Sequence, residues 1–241
     1  MLEKLYRAIR EDAEPKAINL CDRTYTTHEV YPVHLPKPIP LTVRTLSGLV
    51  GYLQANVDDL SHDNLLCHVE SPTGVVLYSG LQGDFDDRSA YLVAELQQLQ
   101  LKFNTFMDAE TFNIHLQSCF TDPEGVQATD RGLVLKYIAN IKSTVENGLS
   151  DDGVSQQVTV KTGIASVGNA VLPNPVLLRP FRTFTEVVQP VSSFVFRCRQ
   201  NDECGMQFCL VEADGGAWRS TAMASIKLYL ENEIPWLNVI A

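Results

Sequence analysis

The chain has 241 residues, of which 45% are hydrophobic and 20% charged, and its formal net charge at pH 7 is −10. A chain of this length can bury enough apolar surface to fold without a metal or a disulfide. The acidic balance disfavours a protein that coats nucleic acid, because phosphate binding normally needs an excess of Lys and Arg. We find no apolar run of membrane-spanning length and no signal peptide. The six cysteines are irregularly spaced, which favours free thiols over disulfides. These features predict a cytoplasmic protein.

The first part of the chain predicts a mixture of helices and strands. A short amphipathic helix over residues 1–10 precedes an extended, proline-containing segment over residues 13–43. Thr45 is a suitable cap for a helix that turns Leu46, Leu49, Val50 and Leu53 inward. Two strands, Leu65–Glu70 and Gly74–Ser79, then form a hairpin, and a third strand covers Ala90–Leu96.

The middle of the chain predicts two helices. Asp108 caps the first, whose inward side chains are Phe112, Leu116, Cys119 and Phe120. Thr129 opens the second, with Gly148 as its C-terminal stop and an inward stripe of Val134, Ile138, Ile141 and Val145.

From Ser150 onward the pattern changes to strands, followed by one last helix. Short connections between the strands favour antiparallel pairing. The final helix is capped by Ser220, turns Met223, Ile226 and Leu230 inward, and ends before Pro235. The predicted strands are Val154–Thr162, Val176–Leu178, Thr183–Val188, Ser193–Arg199 and Gln207–Glu212.

This order of elements predicts the α+β class: a mainly antiparallel sheet with segregated helices, and a C-terminal amphipathic helix packed on the sheet. We expect one domain over residues 1–241. Within it a subdivision near residue 148 would separate a mixed and helical part, 1–148, from a β-rich part, 149–241.

Possible metal ligands do not form a complete motif. Asp84, Asp86 and Glu95 have the spacing of an EF-hand loop, but Arg88 and Ser89 replace a ligand and the required glycine, so a solvated turn is favoured. The gaps between Cys198, Cys204 and Cys209 do not match a zinc motif. His115 and Cys119 lie on one helical face and could bind a metal together. Their second pair of ligands would have to be Cys67 and His68, which nothing in the sequence brings near. We predict no metal and no cofactor.

Catalytic signatures are also missing from the sequence. There is no G-x-S-x-G elbow, no Walker loop, no H-E-x-x-H and no G-x-G-x-x-G. The sequence therefore predicts a protein that is not an enzyme.

Two segments carry the candidate binding residues. The stretch Pro173–Phe184 interleaves arginines with phenylalanines, a combination that can bind phosphate-bearing ligands or a partner, and its alternative interpretation is an edge strand guarded by prolines. A glycine pair before the last helix can present backbone N–H groups to an anion, and its alternative interpretation is a tight turn. The candidate residues are Arg179, Phe181, Arg182, Phe184, Gly215 and Gly216, and we expect the two arginines to be exposed.

Residues 151–158, 173–176, 179–184 and 194–197 also carry a family resemblance. Together with the helix leading to Phe120 and the terminal run from Glu212 to Trp218, they resemble the YfdQ-like proteins of tailed phages and prophages, a family without an assigned function. The resemblance implies a phage-encoded accessory protein of the host cytoplasm. It implies no role for any individual residue.

Three functions follow as hypotheses. The first is a non-enzymatic phage accessory or inhibitor protein that binds a host or phage protein. It would act in phage DNA metabolism or in counter-defence, and self-association into a homo-oligomer is left open. The second is a protein that binds and sequesters a small ligand such as a nucleotide through Arg179, Arg182 and the glycine turn. The third, a metal-dependent hydrolase or nuclease, would have to use the acidic residues around Asp86.

Overall fold

A computed structural model of the protein describes its residues in ten ranges. By internal contacts the chain divides into two units, Met1–Lys37 and Pro38–Ala241. The predicted subdivision near residue 148 is not tested by this division and stays a prediction. The described residues are 2–4, 17–20, 23–26, 37–82, 86–97, 100–142, 147–151, 156–160, 172–201 and 205–241.

The first unit contains one helical segment and one hairpin among its described residues. Residues 2–4 are helical, within the range predicted for the first helix. Strands β1 (Ala17–Leu20) and β2 (Arg23–Thr26) pair antiparallel, with Ala17 opposite Thr26.

The first large sheet of the second unit has five strands in the order β13-β4-β5-β6-β3. Its centre is the predicted hairpin, and β5 also pairs antiparallel with β6. The two edge strands, β3 and β13, run parallel to their neighbours β6 and β4. The strands are β3 (Leu41–Val43), β4 (Leu65–Ser71), β5 (Gly74–Ser79), β6 (Ala90–Glu95) and β13 (Asn238–Ile240).

Two helices, α1 (Leu46–Ala55) and α4 (Trp218–Glu233), share a core with this sheet. The predicted cap of α1 is confirmed, since the Thr45 side chain accepts a hydrogen bond from the Gly48 N–H. Apolar residues at helical spacing turn toward the sheet, and burying each contributes about 1.5–3 kcal/mol. The fully buried members of this core include Leu46, Leu49, Ile226 and Leu230 from the helices, and Val69, Leu77 and Leu92 from the strands.

The second large sheet is antiparallel throughout and has the order β10-β11-β12-β7. Its middle is a long hairpin of β11 and β12, and β10 and β7 are short edge strands. The strands are β7 (Met107–Asp108), β10 (Val176–Leu178), β11 (Ser192–Asn201) and β12 (Gly205–Glu212).

Helices α2 (Ala109–Cys119) and α3 (Arg131–Lys142) pack on this second sheet around a group of aromatic rings. The predicted cap of α2 is confirmed, because the Asp108 carboxylate accepts hydrogen bonds from the first-turn N–H groups. Phe196 and Phe208 on the central hairpin have ring centroids 5.9 Å apart, and Phe112 packs against both rings. The predicted inward face of α2 is therefore confirmed.

These sheets and helices make an α+β arrangement with mainly antiparallel strands, and α4 lies against the five-stranded sheet, as predicted. A further hairpin joins β8 (Asn147–Asp151) and β9 (Gln156–Val160). The prediction that Gly148 stops a helix is wrong, because this glycine lies in β8. Its neighbours have partners in β9, and the ladder pairs Gly148 with Thr159.

The predicted strand Thr183–Val188 is also wrong, and a buried turn takes its place. The side-chain amide of Gln189, itself 4% exposed, replaces the partner strand. Its Oε1 accepts from the N–H groups of Arg182 and Thr183, and its Nε2 donates to the carbonyls of Thr183 and Phe184. Backbone groups satisfied in this way need no ladder, so local β propensity does not decide the structure here.

Within the described residues, no helix has both the length and the apolar character that crossing a bilayer requires.

His115 is a buried titratable group in the core under the second sheet. Its Nε2 accepts from the Lys102 N–H at 3.3 Å, and its ring meets Phe120 edge-on at 5.6 Å. Burial, with a smaller contribution from the charge of Lys102, lowers the pKa of His115 below its ordinary value.

We therefore expect His115 to make the fold sensitive to mild acid. In the unfolded chain the His115 imidazole binds a proton at its ordinary pKa of about 6.5, whereas in the folded chain it binds one only at lower pH. The free energy of unfolding is therefore highest above that ordinary pKa and decreases as the pH falls below it. Urea unfolding at pH 7.5, 6.5 and 5.5 should show a shallower pH dependence in His115→Gln than in the wild type. The half-exposed His68→Gln is the control, and an unchanged slope in His115→Gln would contradict the prediction.

Candidate ligand-binding site

A cavity of about 710 Å³ lies where the β4–β5 turn meets the end of β12 and the start of α4. Its volume falls within the range of about 300–1,000 Å³ typical of small-molecule sites. Both large sheets contribute to its wall, which also includes the connection before β7. The lining residues are Pro72, Thr73, Gln100, Leu101, Phe103, Phe181, Arg182, Glu212, Trp218 and Arg219.

Arg182 is the buried cation of this wall, with 5% of its surface exposed. Its Nη1 donates to the Glu212 carboxylate and its Nη2 to the hydroxyl of Ser192. The guanidinium carbon lies 4.0 Å from the centroid of the Trp218 ring and 5.7 Å from that of Phe194. The remaining donor, Nε, has no hydrogen-bond partner among the described residues.

The backbone around Arg182 is fixed from both sheets. Gln189 holds the N–H groups of Arg182 and Thr183, at 2.9 and 3.1 Å. The Thr183 hydroxyl donates to the Pro72 carbonyl in the β4–β5 turn at 2.6 Å. The guanidinium is therefore held in place before any ligand arrives, which lowers the entropy cost of binding.

The charges beside Arg182 are mutually stabilising. Burial lowers the pKa of Arg182 to about 10, while the carboxylates of Glu212 and Asp214 act in the opposite direction, so the side chain stays charged at neutral pH. Burial also acts to raise the pKa of Asp214. Hydrogen bonds from Ser192 and from the Gly216 amide, with the charge of Arg182, outweigh burial and hold that pKa below its ordinary value.

Trp218 and Arg219 form the part of the wall next to Arg182, in the first turn of α4. Arg219 is exposed, and its guanidinium carbon lies 5.2 Å from the centroid of the Trp218 ring. In the part of the chain that the structure describes, no carboxylate lies within ion-pair distance of Arg219, and Nε1 of Trp218 has no hydrogen-bond partner. An exposed cation without an ion-pair partner therefore lines the cavity beside an aromatic ring, and it can bind a ligand.

The predicted glycine pair forms the turn that carries Trp218 and Arg219. Gly215 and Gly216 have φ values of +61° and +81°, which lie in the left-handed region that favours glycine. The Gly216 N–H donates to Oδ1 of Asp214 at 3.0 Å, so this amide already binds a carboxylate of the protein. An external anion on the pair stays a prediction. The turn also makes the predicted Ser220 cap wrong, since the cap residue is Ala217.

We expect Gly216→Ala to destabilise the protein by about 1–3 kcal/mol, the cost of a non-glycine residue in the left-handed region. A methyl group there would also overlap Nη1 of Arg219 and displace its guanidinium. Gly132→Ala is the matched control, because this exposed glycine of α3 has open space around it and alanine favours helix. Chemical denaturation should separate the two, and equal stabilities would contradict the strain argument.

The two arginines of the Pro173–Phe184 segment were expected to be exposed, and this expectation is wrong. Arg179 is 2% exposed; its Nη2 donates to the Gln127 carbonyl at 3.0 Å, and its Nη1 lies 3.8 Å from Asp122. The physical reason is that the α2–α3 connection crosses the outer edge of β10, where Phe120 bridges to Pro180. Arg179 is therefore enclosed by that connection.

The six predicted site residues separate into two groups. Phe181 and Arg182 line the cavity, and the Gly215–Gly216 turn adjoins it through Arg219. Arg179 lies under the α2–α3 connection, and Phe184 is fully buried in the core of the five-stranded sheet. Their predicted binding role stays untested, but only the first group shares a concave surface.

Sequence reasoning missed Glu212 and Arg219 and treated Trp218 only as a neighbour of the glycines. The adjacent Trp218 and Arg219 at the start of a helix, directly after a glycine turn, were an available signal. Glu212 had none, because its role depends on the β11–β12 register that sets it opposite Phe194.

The candidate metal ligands that the structure describes do not form a metal site. Cys198 is opposite Phe208 and Cys209 is opposite Arg197 in the β11–β12 ladder, so the two thiols project to opposite faces. Asp86 is an exposed turn residue, and Asp84 and Cys204 lie outside the described residues. Across the described ranges, no group of three or more His, Cys, Asp or Glu could hold a metal ion.

Comparisons of the chain with protein-family models, with curated proteins and with solved structures found no match.

Proposed function

We propose that the protein binds a small anionic ligand in the cavity beside Arg182 and holds it without chemical conversion. The observation that carries this proposal is the placement of two guanidinium groups, Arg182 and Arg219, against one indole ring, Trp218, in the same concave wall. Arginine binds carboxylate and phosphate through paired donors, and an aromatic surface beside it suits a ring-bearing ligand.

The preorganisation of the wall supports the same proposal. Arg182 is fixed by Glu212, Ser192 and the Gln189 turn, so it provides a charged surface that does not have to be ordered on binding. Arg219 is exposed at the mouth and can close on an anion. The buried arginine therefore sets the electrostatic environment, and the exposed one makes the primary contact.

A thermal-shift screen against nucleotides and aromatic carboxylates tests the proposal. A ligand at 100 times its Kd should add roughly 2.7 kcal/mol to the free energy of unfolding, a rise of about 5–10 °C in Tm for a protein of this size. Arg219→Ala should keep the fold and weaken binding by about tenfold or more, since a hydrogen bond to a charged group contributes about 1.5–3 kcal/mol.

Arg44→Ala is the matched control, because Arg44 is also exposed and pairs with the exposed Glu95. We expect this variant to retain the full ligand-induced shift. If no compound raises Tm, or if both arginine variants lose the shift equally, the cavity is not the binding site.

The predicted role as a phage accessory protein that binds a host or phage protein remains a second proposal. Purification from infected host cells followed by light scattering would test it. A stoichiometric complex would favour protein binding, and the free chain alone would leave ligand binding as the sole candidate.

A further inference from the structure

We infer that the ligand is a singly charged anion that carries a planar ring, an inference that rests on the proposed function. The argument is the charge balance of the wall. Arg182 is already paired with Glu212, and the ionised Asp214 acts on the same guanidinium. Of the residues that line the cavity, two are cations and one is a carboxylate, so the wall has one positive charge in excess.

The arrangement of these charges matters as much as their sum. Arg219 has no carboxylate within ion-pair distance in the described ranges, so it can accept one anionic group without breaking an existing pair. A second or third negative charge would have to lie near Glu212, whose side chain lines the cavity. Like charges in a partly buried site repel strongly, so polyphosphates are disfavoured.

The aromatic lining defines the rest of the ligand. Trp218, Phe181 and Phe103 contribute ring surface to the wall. The exposed guanidinium of Arg219, next to the Trp218 ring, offers donors to the acceptor oxygens of a ligand. A planar ring with one anionic, oxygen-rich group fits both features. The phosphodiester of a cyclic mononucleotide and the carboxylate of an aromatic acid share this chemistry.

Calorimetric titration with five probes tests the inference and separates the two sources. The probes are cyclic AMP, AMP, ATP, adenosine and indole-3-acetate. We expect cyclic AMP or indole-3-acetate to bind at least about tenfold more tightly than ATP, and adenosine to bind more weakly than cyclic AMP because it lacks the anion. The tighter of the two monoanions identifies whether a phosphodiester or a carboxylate is preferred.

The Glu212→Gln variant tests whether the charge of Glu212 selects the ligand. A purely structural role of Glu212 would not change the ratio of ATP affinity to monoanion affinity. Removing the lining carboxylate should raise ATP affinity about tenfold relative to that of the monoanion, because the repelling charge is gone. Glu95→Gln, a change in the exposed pair with Arg44, should leave the ratio of affinities unchanged.

The outcomes distinguish this inference from the proposed function. If ATP binds the wild type more tightly than both monoanions, or if Glu212→Gln leaves the ratio unchanged, the charge selectivity is wrong while ligand binding stands. If none of the five probes binds, both the inference and the proposed function fall.

Discussion

Replacing Gln189 with leucine is expected to destabilise the protein by about 4 kcal/mol or more. The side-chain amide satisfies four backbone groups on the buried residues Arg182, Thr183 and Phe184. Each buried donor or acceptor left without a partner costs about 1–3 kcal/mol, and leucine offers none. Urea unfolding of the purified variant measures the loss.

Two further variants make this result specific. Gln189→Glu keeps an acceptor oxygen and the shape of the side chain but loses the amide donors, so we expect it to be destabilised as well. Gln54→Leu makes the same change on the exposed face of α1 and should stay within about 0.5 kcal/mol of the wild type. A Gln189→Leu protein as stable as Gln54→Leu would show that the turn finds other partners.

The second large effect is expected at Ile226, where aspartate should prevent folding. Ile226 is fully buried between α4 and the five-stranded sheet. The change removes an apolar side chain, which alone costs about 2–5 kcal/mol, and leaves an unpaired carboxylate in an apolar core. We expect insoluble protein or the loss of a cooperative melting transition.

Leu228→Asp is the control on the same helix, because Leu228 is 60% exposed. It should express and melt as the wild type does. A soluble, cooperatively melting Ile226→Asp would mean that α4 can separate from the sheet without loss of the remaining fold.

Local signals in the sequence were sufficient for several elements. The caps at Thr45 and Asp108 were predictable because each side chain accepts hydrogen bonds from its own first turn, which needs no distant partner. The hairpin of β4 and β5 was predictable for the same reason, from a turn and two apolar runs. The α+β class then followed from the order of the elements.

Two errors fall where side-chain hydrogen bonds and burial, rather than local composition, decide the structure. Thr183–Val188 has the composition of a strand, but the buried amide of Gln189 completes its hydrogen bonds as a turn. Arg179 is interpreted as exposed from sequence because charge normally prefers water, whereas the α2–α3 connection encloses it. The amide of Gln189 turns back onto the residues before it, and Gln127 lies 52 residues before Arg179, so neither hydrogen-bond pattern is apparent from local composition.

The candidate site was accessible from sequence only in part. Arg182 and the glycine turn stood out by composition, but nothing along the chain indicated that they share a cavity. Their proximity depends on α4 beginning at Trp218 and on the Thr183 hydroxyl reaching Pro72. Glu212 reaches Arg182 because the register of β11 and β12 places it opposite Phe194, and strand register pairs residues that are distant in sequence.

The parallel edge strand β13 has a consequence for the order of events during biosynthesis. Val239 pairs with Cys67, so the outer side of β4 stays without a neighbour while the ribosome makes everything between them. At about 5–20 residues per second, that interval is on the order of ten seconds or more. An unpaired strand edge exposed for that time is a template for aggregation and a target for chaperones. The nascent chain therefore remains vulnerable until β13 leaves the exit tunnel and reaches β4.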